Sequence, residues 1–372
     1  MSNGEFIQSL AFTAPALCAL FCMVLTLFDT TRTANDKQNR RLRLFLARFY
    51  LVAALCWMGL FFYITDHRIF VYYQTVFILA LMLDQVLIYH FVFIVTATTD
   101  DRKFNPLHFT IPLILTAISI AGSFNIPYEQ QLAVIYKEGN GIYNQWFSAL
   151  HFTTSIIFIL YNTFYPILSL IRIRRYRRQV VNYSADTQHT SLTWLSVMTI
   201  LTLITVPAPL AGLLLNIDIF TQVYFIWLGA LPTFVVYLLL CYNLLSDNYV
   251  IISPKEEDDK PLQANTKIDR RKFEWYIHEK KPYLNPKLKI TDVAADLNTN
   301  RSYISSFVNQ QYGMSFSRYI NRLRLKELDK LRTSPQRDTY TNIDFILGAG
   351  FGNYRSYLRV KSEENDPANQ KV

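Results

Sequence analysis

Residues 290–313 read ITDVAADLNTNRSYISSFVNQQYG, and they predict two short helices joined by a tight polar turn. The first helix carries apolar residues at i, i+3, i+4 and i+7, which form one helical face: Ile290, Val293, Ala294 and Leu297. The small Ala294 would let the two helices cross closely. Asn300 can cap the second helix by accepting a bond from a free backbone N–H. The pattern is typical of a helix-turn-helix, whose second helix lies in the DNA major groove.

A weaker copy of this pattern, NIDFILGAGFGNYRSYLRV, occupies residues 342–360. Its first helix carries Ile343, Ile346 and Leu347 on one face, and Asn353 would cap its second helix. A longer helix is predicted between the two copies. Its expected buried face consists of Phe316, Tyr319, Ile320, Leu323, Leu328 and Leu331, and its expected polar side of Arg318, Arg322, Arg324 and Lys326. Two such units flanking one long helix form a more specific pattern than one unit alone.

Residues 268–361 resemble the DNA-binding domain of the AraC/XylS family of bacterial transcription regulators. The stretches that carry the resemblance are DVAADLNTNRSYISSFVNQQYGMSFSRYINRLRL and, less fully, ILGAGFGNYRSYLRV. The resemblance implies that two recognition helices enter successive segments of the major groove on one face of the duplex. One departure is Lys361, which stands where the family usually has an apolar aromatic residue.

The resemblance also implies which side chains face DNA. The first recognition helix would present Arg301, Ser302, Tyr303, Ser305 and Ser306, and the second would present Tyr354, Arg355, Leu358 and Arg359. Arginine favours bidentate contacts to guanine, so Arg355 and Arg359 are candidates for base reading. Serine hydroxyls can contact either bases or phosphates. Whether the second unit reads bases or only grips the backbone stays open at this point.

The rest of the chain has a different composition. Seven apolar stretches of about membrane-spanning length precede residue 246, near 6–28, 44–64, 71–97, 108–124, 145–170, 192–215 and 220–245. Residues 246–267 are charged and contain two prolines, which predicts a linker, and residues 362–372 form a charged tail. Residues 253–372 hold 22 Lys and Arg against 16 Asp and Glu, a net charge of +6. A basic domain suits a polyanion, although it also suits plain solubility.

Loop charges predict the orientation of the spans. The loops after spans one, three and five hold twelve Lys and Arg residues, whereas the alternate loops hold only Arg68 and Lys137. The positive-inside rule then places the N-terminus outside and the C-terminal domain in the cytoplasm. The basic run RIRRYRR at residues 172–178 is interpreted as a topology anchor that contacts lipid headgroups.

Few residues in the spans suggest chemistry. Asp84 lies in the middle of span three, where an ionisable group is either functional or hydrogen-bonded to a neighbouring helix. His90 lies six residues further on and is predicted to point to another face. The four cysteines, Cys18, Cys22, Cys56 and Cys241, all lie in apolar stretches, which excludes a disulfide framework in the polar domain. We expect no catalytic residues, no cofactor and no metal.

These features predict an all-α protein, with a seven-helix membrane bundle followed by a cytoplasmic AraC-type double helix-turn-helix domain. The predicted function is a one-component transcription regulator of the bacterial inner membrane that binds promoter or operator DNA. The bilayer and double-stranded DNA are the expected partners. A small-molecule or membrane-borne signal, a second copy of the chain and RNA polymerase are further candidates. The alternative is a transporter or membrane enzyme with a regulatory tail.

Overall fold

A computed structural model describes residues 3–32, 37–97, 103–136, 144–185, 192–215, 223–249, 269–333 and 341–365. Within these ranges the regular secondary structure is helical, apart from one isolated antiparallel bridge between Ser184 and Lys289. The chain divides into two compact units. The first consists of residues 1–95, 102–173 and 193–247, and the second of residues 96–101, 174–192 and 248–372.

Fifteen α-helices lie in the described ranges. The helices of the first half are α1 (Asn3–Arg32), α2 (Lys37–Thr65), α3 (His67–Val95), α4 (Thr110–Asn125), α5 (Tyr128–Tyr136), α6 (Gln145–Val180), α7 (Thr193–Ile204), α8 (Pro207–Leu215) and α9 (Val223–Leu245). Those that follow are α10 (Arg270–Lys280), α11 (Ile290–Asp296), α12 (Arg301–Tyr312), α13 (Phe316–Arg332), α14 (Asn342–Gly348) and α15 (Tyr354–Asn365). Two 3-10 helices, Pro106–Phe109 and Pro282–Leu284, precede α4 and follow α10.

Seven helical segments among the described residues are long and apolar enough to cross a bilayer, as the sequence predicted. They are Gln8–Arg32, Asn39–Thr65, His67–Val95, Pro106–Asn125, Gln145–Val180, Thr193–Gly212 and Ile226–Leu245. The sixth contains a break, because α7 ends at Ile204 and α8 begins at Pro207, a residue that has no backbone N–H to continue the helix. These segments indicate a membrane protein.

In the core of the first unit, Tyr237 on α9 accepts two buried hydrogen bonds. The carbonyl of Tyr237 accepts the hydroxyl of Tyr50 at 2.9 Å, and the Tyr237 hydroxyl accepts the indole N–H of Trp57 at 3.1 Å. All three aromatic side chains are buried. Because both donors lie on α2, these bonds hold α2 and α9 together in one register.

A buried arginine joins three helices of the same unit. Arg43 on α2 is 1% exposed, and its guanidinium pairs with Asp29 on α1 and with Asp247 just after α9, the latter at 3.1 Å. From the sequence, Arg43 is only one of the twelve basic loop residues whose count predicts the orientation of the spans. The structure gives it an additional role, since it links the ends of α1, α2 and α9.

The segment between spans four and five, which the sequence predicts to be one of the loops poor in Lys and Arg, contains a short helix, α5. Gln131 on α5 is buried and its amide N–H donates to the carbonyl of Ile126 at 2.7 Å, while its carbonyl oxygen accepts from Gln74 on α3 at 2.6 Å. These bonds hold α5 against the start of α3. Residues 137–143 of the same loop lie outside the described ranges.

The second unit is packed around α13. Near the start of α13, Tyr319 meets Phe273 of α10, with ring centroids 5.9 Å apart. Near its end, Leu328 belongs to a buried cluster with Ile346, Ala349, Phe351, Tyr357 and Val360. The long helix α13 therefore packs against short helices that precede it in the chain and against others that follow it. Of the predicted linker only residues 246–249 are described, and of the predicted tail only residues 362–365, which extend α15.

Candidate nucleic-acid interface

The first helix pair consists of α11 and α12. All four residues predicted for the inner face of α11 are buried, and Ala294 is fully enclosed, which allows the close crossing. Asn298 in the turn has a φ of 53°, a left-handed conformation that asparagine tolerates better than most residues. The side chain of Asn300 accepts the Tyr303 N–H at 3.0 Å, so the predicted cap is present.

The second helix pair consists of α14 and α15. Its second helix also begins after an asparagine, because the Asn353 side chain accepts the Ser356 N–H at 2.8 Å. Its first helix is capped by Thr341, whose N–H and hydroxyl both bond to the Asp344 carboxylate. The hydrogen bonds from Thr341 lower the pKa of Asp344. Both helix pairs therefore carry well-formed caps, although the second is the weaker match in sequence.

The second pair departs from the predicted packing at two residues. Ile343 and Leu347, expected on the buried face of α14, are 55% and 47% exposed, and only Ile346 of that face is buried. The helix is seven residues long, so one apolar side chain at its centre reaches the core while those on either side stay at the surface.

The prediction for Arg324 was wrong. It was placed on the polar side of α13, but its side chain is 2% exposed. Phe316, Ile320, Arg324 and Leu328 follow one another at intervals of four, so Arg324 lies in the middle of the apolar stripe. Its guanidinium donates to the carbonyls of Tyr283 at 2.8 Å and Asn285 at 2.7 Å, and to the Asn321 side chain at 2.9 Å. The polar group is thus satisfied by main-chain carbonyls inside the domain.

The predicted reading residues of α15 share one exposed face. Tyr354, Arg355, Leu358 and Arg359 are all exposed, whereas Ser356, Tyr357 and Val360 face the core. Tyr354 and Leu358 are 44% and 45% exposed, so both large side chains are available on this face beside the two arginines. The exposed face of α15 therefore carries two arginine cations and two large side chains with apolar surface.

On α12 the corresponding set is less uniform. Ser302 and Ser306 are exposed, while Arg301, Tyr303 and Ser305 are half-buried. Ile304 and Val308 hold the opposite face of this helix in the core. The two helices therefore differ in character, since α12 presents mainly hydroxyls and α15 presents arginines.

The end of α15 is anchored to α13 by charge. Lys361 is exposed, and its ammonium lies 5.7 Å from the centroid of the Tyr357 ring. The Glu364 carboxylate pairs with Arg322 at 2.6 Å and with Arg318 at 3.7 Å. The second helix pair is thereby attached to α13 through Glu364, which lies beyond Lys361, the position that departs from the family pattern.

A second ionic contact joins the end of α10 to α13. Lys281 donates to the Glu327 carboxylate at 2.8 Å, and the Tyr283 hydroxyl donates to its other oxygen at 3.3 Å. Burial acts to raise the pKa of Glu327, but the bond and charge of Lys281, with Lys330 nearby, outweigh it and the pKa lies below its ordinary value. The same bond raises the pKa of Lys281.

Gly350 fixes the turn of the second pair. Its φ is +92°, and a Cβ there would lie 2.4 Å from the Tyr283 carbonyl oxygen and 2.7 Å from the Leu284 Cα. We expect Gly350→Ala to destabilise the second unit by at least about 2 kcal/mol, from backbone strain and a clash with main-chain atoms that cannot rotate away. Hydrogen exchange of α14 and α15 in the full-length protein, read by mass spectrometry, measures this.

Gly352→Ala is the matched control for that substitution. A Cβ at Gly352 would meet only Pro286 Cβ, at 3.7 Å, an ordinary contact distance. Its exchange should stay close to that of the wild type. Equal protection in the two variants would contradict the tight approach at Gly350.

Asp84, the candidate within the spans, lies on α3 with its Oδ1 atom buried and without a hydrogen-bond partner in the described part of the chain. Its other oxygen accepts from the neighbouring Gln85 side chain at 3.4 Å. The ring of His90 does not contact Asp84 but stacks on Phe104, with the ring centroids 3.9 Å apart. The structure therefore does not bring Asp84 and His90 together, in agreement with their spacing. Among the described residues no group of His, Cys, Asp and Glu is arranged to hold a metal ion.

Sequence reasoning missed a further component of the second unit. Residues 174–192, which were interpreted as a basic anchor and a loop, belong to this unit. Within them Tyr176 is fully buried. The signal available in the sequence was the apolar pair Tyr176 and Val180, spaced one helical turn apart within a basic run.

Comparisons of this chain with protein-family models, with curated proteins and with solved structures gave no match. The two helix pairs are therefore characterised by their own geometry and exposed side chains.

Proposed function

We propose that this protein is a membrane-embedded transcription regulator that binds duplex DNA through α12 and α15. The observation that carries the proposal is the pair of capped helix–turn–helix units on either side of α13, with Arg355 and Arg359 exposed on one of them. The resemblance of residues 268–361 to AraC/XylS-type DNA-binding domains is a second support for the proposal. We further propose that the second unit lies in the cytoplasm, which the charge bias of the loops supports.

In the proposed mechanism the two helix pairs make different kinds of contact with DNA. The exposed hydroxyls of Ser302 and Ser306 on α12 suit contacts to phosphates or bases. Arg355 and Arg359 suit bidentate contacts to guanine, and Leu358 suits a thymine methyl group. The basic character of the domain adds attraction that does not depend on sequence.

The basic test is the salt dependence of DNA binding by the full-length protein in lipid nanodiscs. We expect its affinity for duplex DNA to fall at least about tenfold between 50 and 200 mM salt, as for two or more phosphate contacts. Sites are first identified by selecting bound sequences from a random pool. Binding that is undetectable at low salt, or unchanged across this range, would refute the proposal.

Replacement of Arg359 tests the reading of bases. We expect Arg359→Ala to weaken binding to the selected site by about 1–3 kcal/mol and to relax sequence preference at one position. Lys361→Ala is the control, since it removes an exposed cation from the same helix but not from the face that holds Arg355 and Arg359. Fluorescence anisotropy with selected and random duplexes measures both. An equal loss on the two duplexes would mean that Arg359 contacts only phosphate.

A transporter or membrane enzyme remains the second candidate, and the buried Oδ1 of Asp84 is the observation that favours it. Such a protein would lose solute flux in proteoliposomes on Asp84→Asn while its DNA affinity stayed unchanged. Under the regulator proposal the bundle either senses a signal or only anchors the domain. Exchanging the seven spans for an unrelated helical anchor separates these roles. Regulation would be lost if the bundle senses a signal and unchanged if the bundle only anchors the domain.

A further inference from the structure

Residues 181–185, VNYSA, follow α6 directly and are bound by the second unit as if they were a peptide ligand; we call them the docking segment. The Ala185 N–H donates to the Leu288 carbonyl at 3.1 Å, and the Ile290 N–H donates to the Tyr183 carbonyl at 2.9 Å. Ile290 is the first residue of α11 and Leu288 lies two residues before it, so the segment is attached at the start of the first helix pair.

A second group of bonds attaches the docking segment to α13. The Ser317 N–H donates to the Val181 carbonyl at 3.0 Å. The buried guanidinium of Arg324 donates to the Ala185 carbonyl at 2.9 Å. Since Arg324 also holds the carbonyls of residues 283 and 285, one side chain connects the docking segment with the loop against which Gly350 packs.

The burial of the segment matches this bonding. Tyr183, Ser184 and Ala185 are 6%, 2% and 1% exposed, values typical of a domain interior rather than of a surface loop. Val180, the last residue of α6, is also buried. The docking segment therefore contributes to the core of the second unit while its chain continues directly from α6.

We propose that the docking segment is a transmission element, through which a shift of α6 alters the alignment of the two DNA-reading helix pairs. The proposal rests on the proposed function of α12 and α15. Its structural ground is that the segment is bonded to the start of α11 and to α13, and that Arg324 extends this network to the second pair. A signal that moves α6 thus acts on contacts with α11, α13 and the loop of residues 283–285, which support the two helix pairs, without a separate messenger.

Docking favours the DNA-binding state. In the docked arrangement Ser302, Ser306, Arg355 and Arg359 are exposed, so the segment does not cover the reading faces. Withdrawal of the segment would loosen α11 and α13 and lower affinity.

The first experiment fixes the segment in place with a disulfide. Ser184 and Lys289 face each other as a non-hydrogen-bonded antiparallel pair, whose Cα atoms typically lie about 4.5 Å apart, within the range of a disulfide. A protease site placed at residues 256–259 reports the cross-link, since only a Ser184→Cys, Lys289→Cys chain stays whole after cleavage without reductant. Ser184→Cys with Leu288→Cys is the control, because a shift of one residue turns the second side chain to the opposite side.

The second experiment removes docking, and its first readout, hydrogen exchange, needs no DNA. Ala185→Asp places a carboxylate in a buried position, and Val181→Asp places the same charge on an exposed one, as Val181 is 42% exposed. We expect hydrogen exchange in α11, in the first turns of α13 and in residues 283–285 to rise at least about tenfold in the first variant and to stay unchanged in the second. We expect DNA affinity to fall about tenfold in the Ala185→Asp variant and to be retained in the oxidised cysteine pair.

The outcomes separate the two proposals. A cysteine pair that does not cross-link faster than its control, or exchange that is equal in the two aspartate variants, overturns docking and transmission. Altered exchange with unchanged DNA affinity also overturns transmission. A cross-link and altered exchange in a protein that binds no duplex at any salt concentration would instead refute the proposed function, and the transmission to DNA that rests on it.

Discussion

Replacing Arg324 by methionine will destabilise the second unit by about 3–5 kcal/mol, the range found when one partner of a buried charged network is lost. Methionine matches much of the volume of the arginine stem but donates no hydrogen bond. Three main-chain carbonyls would lose their donor, those of Ala185 and Tyr283 in the buried interior and that of Asn285 nearer the surface. Each buried acceptor without a partner costs on the order of 1–3 kcal/mol, so the carbonyls alone account for the expected effect.

Hydrogen exchange along α13 in the full-length protein measures this loss. Arg324→Lys should rescue little, because an ammonium cannot reproduce the planar fork of a guanidinium that serves several acceptors. Arg322→Met is the control on the same helix. Its side chain is 36% exposed and pairs with Glu364, so its removal should cost at most about 1 kcal/mol. A comparable loss in the two methionine variants would contradict the central role of Arg324.

Replacing Arg43 by methionine will have an effect of similar size on the first unit. The substitution removes the guanidinium that pairs with Asp29, whose side chain is 13% exposed, and breaking a buried ion pair by removing one partner costs about 3–5 kcal/mol. Asp247 is 56% exposed and contributes less, since water can solvate it. On the scale of soluble domains of similar size, the midpoint of thermal unfolding should fall by roughly 6–20 °C.

The native cysteines provide the readout for this unit. All four are free and buried in helices of the bundle, so a fluorogenic thiol reagent reacts as the bundle opens on heating. Arg41→Met serves as the control, because Arg41 is exposed two residues away on the same helix. An unchanged midpoint in Arg43→Met would show that the two carboxylates are adequately solvated without it.

Local patterns in the sequence were sufficient to predict the helices but not their connections. The seven spans and the first helix pair follow from apolar periodicity and composition, and the Asn300 cap follows from the chemistry of one residue. Arg324 could have been placed in the core from its spacing, but its carbonyl partners are brought together only by the fold. The ion pair between Arg43 and Asp29 involves α1 and α2, and loop-charge counting treats each such residue as independent of the others.

The candidate interface was predictable to different degrees in its two halves. Exposure of the Arg355 and Arg359 side chains follows from the helical spacing, because Tyr357 and Val360 occupy the opposite face. The charged attachment of Glu364 to Arg322 was not predictable, since it lies beyond the last residue that the family pattern covers. The docking segment itself was not predictable, because the only signal nearby, the apolar pair Tyr176 and Val180, lies on the preceding helix and does not identify the partner that residues 181–185 meet.

The docking segment has a consequence for the order of events during synthesis. Ala185 and Arg324, which are bonded in the finished protein, are 139 residues apart in the chain. At translation rates of about 5–20 residues per second, the ribosome needs on the order of ten seconds to make the second partner after the first. During that interval the nascent chain holds a segment without its binding site while the last two spans are being made. The second unit is therefore completed only late in synthesis, so that maturation of the protein is tied to completion of its membrane bundle.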